Sequence, residues 1–196
     1  MCLPDGFYDL GKEIPELIVD IRYATPHNLT GHPLNGYEAG KAIGTRALLE
    51  GMKRAVKRAN GLRFRVFDAY RPQRAVMDFV KWAQAPENGL TKAEFYPALP
   101  KEQLFPLGYI ALKSGHSRGS TIDLTLEGLD MGTAFDLMDD RSHHGALNIT
   151  PQQAFNRQQL KAIMVSAGFA PYANEWWHYR LLEEPYPDTY FDFVIK

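Results

Sequence analysis

The chain has 196 residues, of which 45% are hydrophobic and 23% are charged, and its formal net charge is −1. This length fits one domain with a substantial core, so we expect residues 1–196 to form a single domain. The near-neutral charge argues against nucleic acid or an anionic membrane as the main partner, because both select for basic residues. Cys2 is the single cysteine, which excludes a disulfide framework and a cysteine-based metal site within one chain.

The N-terminal residues lack the basic region and the apolar stretch of a secretory signal peptide. No apolar run approaches the roughly 18 residues of a membrane-spanning helix. We therefore expect a soluble, cytoplasmic protein.

The first half of the chain predicts helix, strand and helix. Residues 45–60 carry apolar side chains at helical spacing, and a glycine ends the pattern. Residues 62–71 alternate apolar and basic side chains, which predicts a strand that stops at Pro72, with Arg71 at the stop. Residues 73–85 then predict a second helix with one apolar face.

The second half predicts strands without intervening helices, and then one more helix. Residues 108–113 are a short strand candidate, and residues 120–126 alternate again. A capping box with proline at the first helical position opens a helix over residues 150–168, and the aromatic segment 175–182 predicts a last strand. Successive strands without a crossover helix indicate an antiparallel or mixed sheet, and hence an α+β fold, for which we expect a central antiparallel sheet flanked by helices.

The stretch SGHSRGSTIDLT places His116 in a Gly/Ser loop and Asp123 inside a predicted strand. Asp123 alternates with Ile122 and Leu124, so its side chain points away from the apolar face of that strand. A buried carboxylate without a partner costs several kcal/mol, so Asp123 needs a cation or hydrogen-bond donors.

A metal ion is a suitable partner for Asp123. His178 lies in the aromatic segment EWWH, and two imidazoles with one carboxylate form a catalytic zinc set that leaves one position open. His116, Asp123 and His178 would supply these ligands, and Glu175 could act as general base and acid. Because residues three apart on a regular strand face opposite sides, the chain must bend near Glu175, or Glu175 must belong to the preceding loop.

Arg71 and the histidine pair each leave alternatives open. Arg71 could form a surface ion pair with Asp68, or could stabilise the oxyanion of a tetrahedral intermediate. His143 and His144 lie in an acidic stretch of metal-like composition. Adjacent histidines rarely converge on one ion, so a hydrogen-bonding role in a loop is favoured for both.

Several motifs together resemble the VanX-type zinc D-alanyl-D-alanine dipeptidases. The carriers are SGHSRGSTIDLT, MGTAFDLMDDRSHH and EWWH, supported by FDAYRPQRAV and EPYPDTYFDF, so the likeness covers nearly the whole chain. Thr121 stands where the wider group of zinc D,D-peptidases often has alanine. The resemblance implies a Hedgehog/D,D-peptidase-like α+β fold and hydrolysis of D-alanyl-D-alanine, which removes a cell-wall precursor that vancomycin binds.

Residue by residue, the resemblance implies one zinc ion on His116, Asp123 and His178. It implies Glu175 as general base and acid, and Arg71 as the stabiliser of the transition state. These roles agree with the reading of the residues themselves and favour the catalytic alternative for Arg71.

Selectivity for a dipeptide requires groups that recognise both free termini. Asp123 and Glu175 could pair with the substrate ammonium, and Ser114 and Tyr23 are further candidates for holding the termini. Family members often form dimers, so the resemblance allows a homodimer, but the sequence itself does not fix the oligomeric state.

Two alternative functions compete with the dipeptidase. One is a D,D-carboxypeptidase acting on peptidoglycan precursors, which would need an open groove. The other is a non-catalytic, zinc-stabilised binding module, which would need neither a base nor an oxyanion cation. The presence of Glu175 and Arg71 favours an enzyme.

Overall fold

The computed structural model describes residues 3–196, so Cys2 lies outside the described residues. The helices are α1 (Leu10–Glu13), α2 (Arg46–Arg58), α3 (Gln73–Gln84), α4 (Lys92–Phe95) and α5 (Pro151–Ser166). The strands are β1 (Phe7–Asp9), β2 (Ile18–Val19), β3 (Ile43–Thr45), β4 (Phe64–Asp68), β5 (Thr121–Leu126), β6 (Phe169–Tyr172) and β7 (Glu175–Leu181). The predicted α+β class is confirmed.

A five-stranded sheet in the order β2-β4-β5-β7-β6 forms the centre of the fold. The pairs β4–β5, β5–β7 and β7–β6 are antiparallel, as predicted. The edge pair β2–β4 is parallel, so the sheet is mixed, which is one of the two predicted alternatives. The chain between β2 and β4 contains α2, and a crossover of this kind is what a parallel pair requires. Strands β1 and β3 form a separate two-stranded sheet.

The two longest helices begin at side-chain caps that the sequence encodes. The Thr45 hydroxyl accepts a hydrogen bond from the Leu48 amide at 3.1 Å and starts α2. The predicted capping box starts α5, where Thr150 and Gln153 each accept a bond from the other's backbone amide. Gly51 of α2 lies so close to Phe169 of β6 that a Cβ atom there would be 2.9 Å from the ring. Helix α2 therefore packs directly on the sheet.

The strand predicted over residues 108–113 is wrong. These residues form turns and bends, and the Leu104 carbonyl accepts bonds from both the Tyr109 and Ile110 amides, at 3.0 and 3.2 Å. Gly108 has a φ of +82°, in the left-handed region that closes a turn and interrupts an extended strand. Tyr109, Ile110 and Ala111 line a cavity instead of pairing with a strand.

The turn before β5 is tightly packed around Gly119. Its φ is +80°, and a Cβ atom there would lie 2.5 Å from Cε1 of Phe7. Gly128 has a similar φ of +77° but open space around it. We expect Gly119→Ala to lower the free energy of unfolding by about 1–3 kcal/mol more than Gly128→Ala, because only the first adds overpacking to backbone strain. Urea denaturation of both variants measures this difference, and equal losses would contradict it.

Candidate active site

The register of the central sheet places three functional side chains in one row. Asp68 of β4 lies opposite Asp123 of β5, and Asp123 lies opposite His178 of β7. Residues directly opposite each other on neighbouring strands project from the same face of a sheet. Strand pairing alone therefore brings together two predicted ligands that are far apart in sequence.

His116 reaches this row from the short 3-10 turn Gly115–Arg118, which precedes β5. Its Nδ1 lies 2.7 Å from the Ala69 carbonyl oxygen, which can only accept a hydrogen bond. In the neutral imidazole Nδ1 is therefore protonated, and Nε2 carries the lone pair. The turn thus presents an unprotonated nitrogen to the row.

The three predicted ligands converge on one point. His116 Nε2 lies 3.2 Å from Asp123 Oδ2, His178 Nδ1 lies 3.1 Å from Asp123 Oδ1, and the two ring nitrogens are 3.3 Å apart. These groups offer ligand atoms that all lie within 4.8 Å of one another. His116 and Asp123 are almost fully buried. Within residues 3–196, this is the one group of three such side chains with that geometry.

The electrostatics of this group favour a bound cation. The Asp123 Oδ1 atom is buried and has no aligned hydrogen-bond donor, and the lone pair of His116 faces the other carboxylate oxygen. Burial opposes ionisation of Asp123, but the two imidazoles outweigh it and hold the carboxyl pKa well below its usual range. Burial also opposes protonation of His178, yet Asp123 raises the pKa of that imidazole. A divalent cation would satisfy all three groups, so the residues fit a metal site.

A bulge in β7 brings Glu175 to the same site. Pro171 of β6 pairs with Tyr179, but the next residue, Tyr172, pairs with Glu175. The β7 residues between these two pairs therefore have no opposite residue on β6, and the strand is irregular there. Glu175 Oε2 consequently lies 3.4 Å from His178 Nδ1. The bend that the sequence required is confirmed. Burial raises the pKa of Glu175 to about 7.

Arg71 lies beside the carboxylates and is not a surface residue. Its Nε donates to Asp68 Oδ2 at 2.9 Å, and its Nη2 lies 3.5 Å from Asp123 Oδ2. Its side chain is only 12% exposed and that of Asp68 is 1% exposed, so the surface ion-pair alternative is wrong. The guanidinium also lies over the Tyr23 ring, 4.6 Å from its centroid.

One cavity of about 280 Å³ opens onto these groups. Every predicted site residue lines it: Tyr23, Arg71, Ser114, His116, Asp123, Glu175 and His178. The Ser114 hydroxyl also accepts a hydrogen bond from the His116 amide at 3.3 Å, so it caps the turn that carries the histidine. The volume is below the roughly 300–1,000 Å³ of pockets for drug-sized ligands, which suits a small substrate.

Asp136 is a cavity residue that the sequence analysis missed. It is buried, it accepts a hydrogen bond from the Tyr23 hydroxyl at 2.7 Å, and burial raises its pKa to about 8. In the sequence it is one of several acidic residues between positions 130 and 140, and nothing in their spacing distinguishes it. Its φ of +63°, unusual for a residue other than glycine, is visible only in the structure.

His143 and His144 lie outside the ligand group. His143 Nε2 is 3.1 Å from the Tyr109 hydroxyl, and the His143 carbonyl accepts a bond from Arg157 at 2.9 Å. Burial lowers the pKa of His144 to about 4, and its ring packs edge-on against Tyr179. Both contact neighbouring loops and strands rather than the cluster of ligands.

Within residues 3–196, no helix has the length and apolar character needed to cross a bilayer.

Comparison with known proteins adds independent evidence. D-alanyl-D-alanine dipeptidase from Streptomyces coelicolor is 51% identical over 184 residues, covering 90% of this chain and 91% of that protein. The dipeptidase from Enterococcus faecium is 46% identical over 199 residues, covering 97% of this chain and 98% of that protein. The dipeptidase from Enterococcus faecalis is 46% identical over 202 residues, covering 99% and 100%.

The model of a peptidase family, Peptidase_M15, described as D-Ala-D-Ala dipeptidase, matches residues 4–196. This match spans the strands, the 3-10 turn and the bulge that assemble the ligand group. Together with the identities to curated relatives, it shows that the chain belongs to the D-Ala-D-Ala dipeptidase family of M15 peptidases.

Proposed function

We propose that this chain hydrolyses the dipeptide D-alanyl-D-alanine with one zinc ion held by His116, Asp123 and His178. The observation that carries the proposal is the convergence of two imidazoles and a carboxylate beside a buried glutamate in a small cavity. This donor set is one that catalytic zinc sites use. When bound, zinc polarises a carbonyl group and makes water more acidic.

Glu175 moves the proton in the proposed mechanism. Its carboxylate takes a proton from the attacking water and then delivers it to the nitrogen of the leaving D-alanine. A pKa near 7 suits both transfers, because the group can gain and lose a proton near neutral pH. The bulge in β7 places the Glu175 carboxylate beside the three proposed zinc ligands, although Glu175 is not itself one of them.

Arg71 stabilises the negative charge that develops on the carbonyl oxygen. Its guanidinium is held by Asp68 and lies over Tyr23, so it needs little reorganisation during the reaction. A fixed cation in a site of low exposure contributes several kcal/mol to such a transition state.

The cavity has groups suited to both termini of a dipeptide. Asp136 and Tyr23 lie together on its wall, and the substrate ammonium would convert Asp136 to its charged form by pairing with it. Asp123 and Glu175 add negative charge on this side. The Ser114 hydroxyl and the Lys113 ammonium, which also line the cavity, could bind the carboxylate of the second D-alanine.

Recognition of the ammonium favours the dipeptidase over a D,D-carboxypeptidase. An acylated peptide has no ammonium and would leave the buried Asp136 without a cation. The presence of a base and an oxyanion cation beside the ligands also favours an enzyme over a zinc-stabilised binding module.

The biological setting follows from this reaction. Removal of D-alanyl-D-alanine would deplete a cell-wall precursor, and this would support vancomycin resistance or recycling of the dipeptide. We propose that residues 1–196 act as one domain in the cytoplasm, where the precursor is made. The homodimer stays a prediction.

Removal of the base or of the metal should abolish hydrolysis. We expect purified protein to contain one zinc per chain and to lose activity with a chelator. We expect Glu175→Ala to lower kcat by about 10²–10⁴-fold with the zinc retained, because only the proton transfer is lost. Metal analysis and a D-Ala-D-Ala hydrolysis assay measure both effects. Metal-free protein that still cleaves the dipeptide would refute the proposal.

Substrate length distinguishes the two peptidase functions. We expect kcat/KM for free D-Ala-D-Ala to exceed that for N-acetyl-D-Ala-D-Ala by at least about 10²-fold, because the acetyl group removes the ammonium. Faster cleavage of the acetylated peptide would instead indicate a D,D-carboxypeptidase.

We expect Asp136→Asn to weaken substrate binding and to raise the stability of the folded protein. The pKa of Asp136 is raised to about 8 in the folded protein, whereas an unfolded aspartate titrates near 3.9, so the unfolded state binds fewer protons between these values. Wild-type stability should therefore decline from pH 4 to 8, and the variant should avoid this decline. We expect a relative gain on the order of 1–4 kcal/mol at pH 8, together with a higher KM.

Asp140→Asn is the matched control, because it removes a carboxylate from the same segment where the side chain is 94% exposed. Urea denaturation at several pH values should show no comparable gain for this control. Identical pH profiles for both variants would contradict the assignment of Asp136.

A further inference from the structure

The backbone on both sides of Arg71 is held by one distant segment, residues 190–195, which we call the C-terminal strap. The Tyr70 ring stacks on Phe193 with 4.0 Å between centroids, and its hydroxyl donates to the Phe193 carbonyl at 3.0 Å. On the other side, the Gln73 amide donates to the Phe191 carbonyl at 3.0 Å. Arg71 lies between these two attachments.

Asp192 makes the most extensive of these contacts. Its Oδ1 accepts bonds from the Arg74 amide at 2.7 Å and from Arg74 Nε at 3.0 Å, and its Oδ2 accepts from Nη2 at 3.1 Å. Helix α3 starts after Pro72, whose side chain makes no capping hydrogen bond. The first amides of a helix lack partners within it, so the strap caps α3 where its own sequence does not.

The strap also contacts the other parts of the site. The Phe191 amide donates to the Ser117 carbonyl at 2.9 Å, directly after the predicted ligand His116. Ile195 forms a bridge with Tyr37, whose hydroxyl donates to Asp68 at 2.7 Å. One segment therefore ties together the chain around Arg71, the turn of the ligand histidine and the carboxylate that orients the guanidinium.

From these contacts we infer that Asp192 is a positioning residue, which acts through Arg74 and the first turn of α3 to keep the Arg71 guanidinium aligned with the oxyanion. This inference rests on the proposed function. Asp192 itself does not line the cavity. A displacement of about 1 Å in a group that acts on the transition state can lower the rate by up to about 10²-fold, so a tie outside the cavity can affect kcat.

The test compares two exposed, bidentate ion pairs. In Asp192→Ala we expect kcat for D-Ala-D-Ala to fall by about 10-fold with KM within about 2-fold of wild type, because Arg71 acts on the transition state. The control is Glu127→Ala, which removes the bidentate partner of Arg65, with contacts of 2.7 and 2.8 Å, away from the cavity, and leaves Arg65 its contact with Asp20 at 3.2 Å. It should leave kcat unchanged. Zinc content should match wild type in both variants.

A second test, in a protein that already carries Arg71→Ala, distinguishes a positioning role of Asp192 from general destabilisation. In an Arg71→Ala protein, Asp192→Ala should cause no further loss of kcat, because the group it positions is absent. If Asp192→Ala fails to fold, Asp192→Asn replaces it, since the amide oxygen can still cap α3 while the charge is lost. We then expect an intermediate loss of kcat.

Two results would overturn the inference: wild-type kcat in the Asp192 variant, or the same fold loss with and without Arg71. Failure of the proposed function gives a different pattern. In that case the wild-type protein itself shows no zinc-dependent hydrolysis of the dipeptide, whatever residue stands at position 192.

Discussion

The buried carboxylate of Asp123 is the constraint on which the rest of the site depends. It lies between two imidazole nitrogens at 3.1 and 3.2 Å, and one of those nitrogens presents a lone pair rather than a hydrogen. Such a group is costly to bury unless a cation occupies its centre. Glu175 and Arg71 lie within a few ångströms of this group of side chains. A cation bound there would therefore lie next to the proposed base and the proposed oxyanion stabiliser.

The sheet satisfies this constraint with two different devices. Regular antiparallel pairing of β5 with β7 aligns Asp123 with His178, because opposite residues share a face, and a register shift between Val66 and Asp68 of β4 brings Asp68 opposite Asp123. An irregularity in the pairing of β6 with β7 then turns Glu175 toward the same face, which a regular strand would not permit. The proposed ligand and the proposed base therefore come from one short segment, EWWH, but the first is placed by regular pairing of the strand and the second by an irregularity in it.

Asp136 is buried and accepts a hydrogen bond from the Tyr23 hydroxyl, and it forms no ion pair within residues 3–196, which fits a substrate with a free ammonium. Burial raises the pKa of Asp136 to about 8 and that of Glu175 to about 7, and the nearby Asp123 carboxylate contributes to both shifts. Arg71 is already paired with Asp68. A bound ammonium would therefore supply the positive charge that the folded protein lacks beside Asp136. Until substrate binds, the buried carboxyl group lowers the stability of the folded protein.

Local patterns in the sequence determined the helices α2, α3 and α5 and the strands β4, β5 and β7, and they singled out the three side chains that converge, because periodicity, caps and motif spacing are properties of short segments. Only the tertiary structure decided the parallel edge strand, the turn at residues 108–113, the burial of the Arg71–Asp68 pair and the place of Asp136. The edge strand, the burial of the ion pair and the place of Asp136 depend on contacts between residues distant in sequence, whereas the turn depends on the left-handed conformation of Gly108, which the apolar pattern around it does not reveal. The C-terminal strap shows the same principle, since nothing near Pro72 predicts that Asp192 caps the helix that follows it.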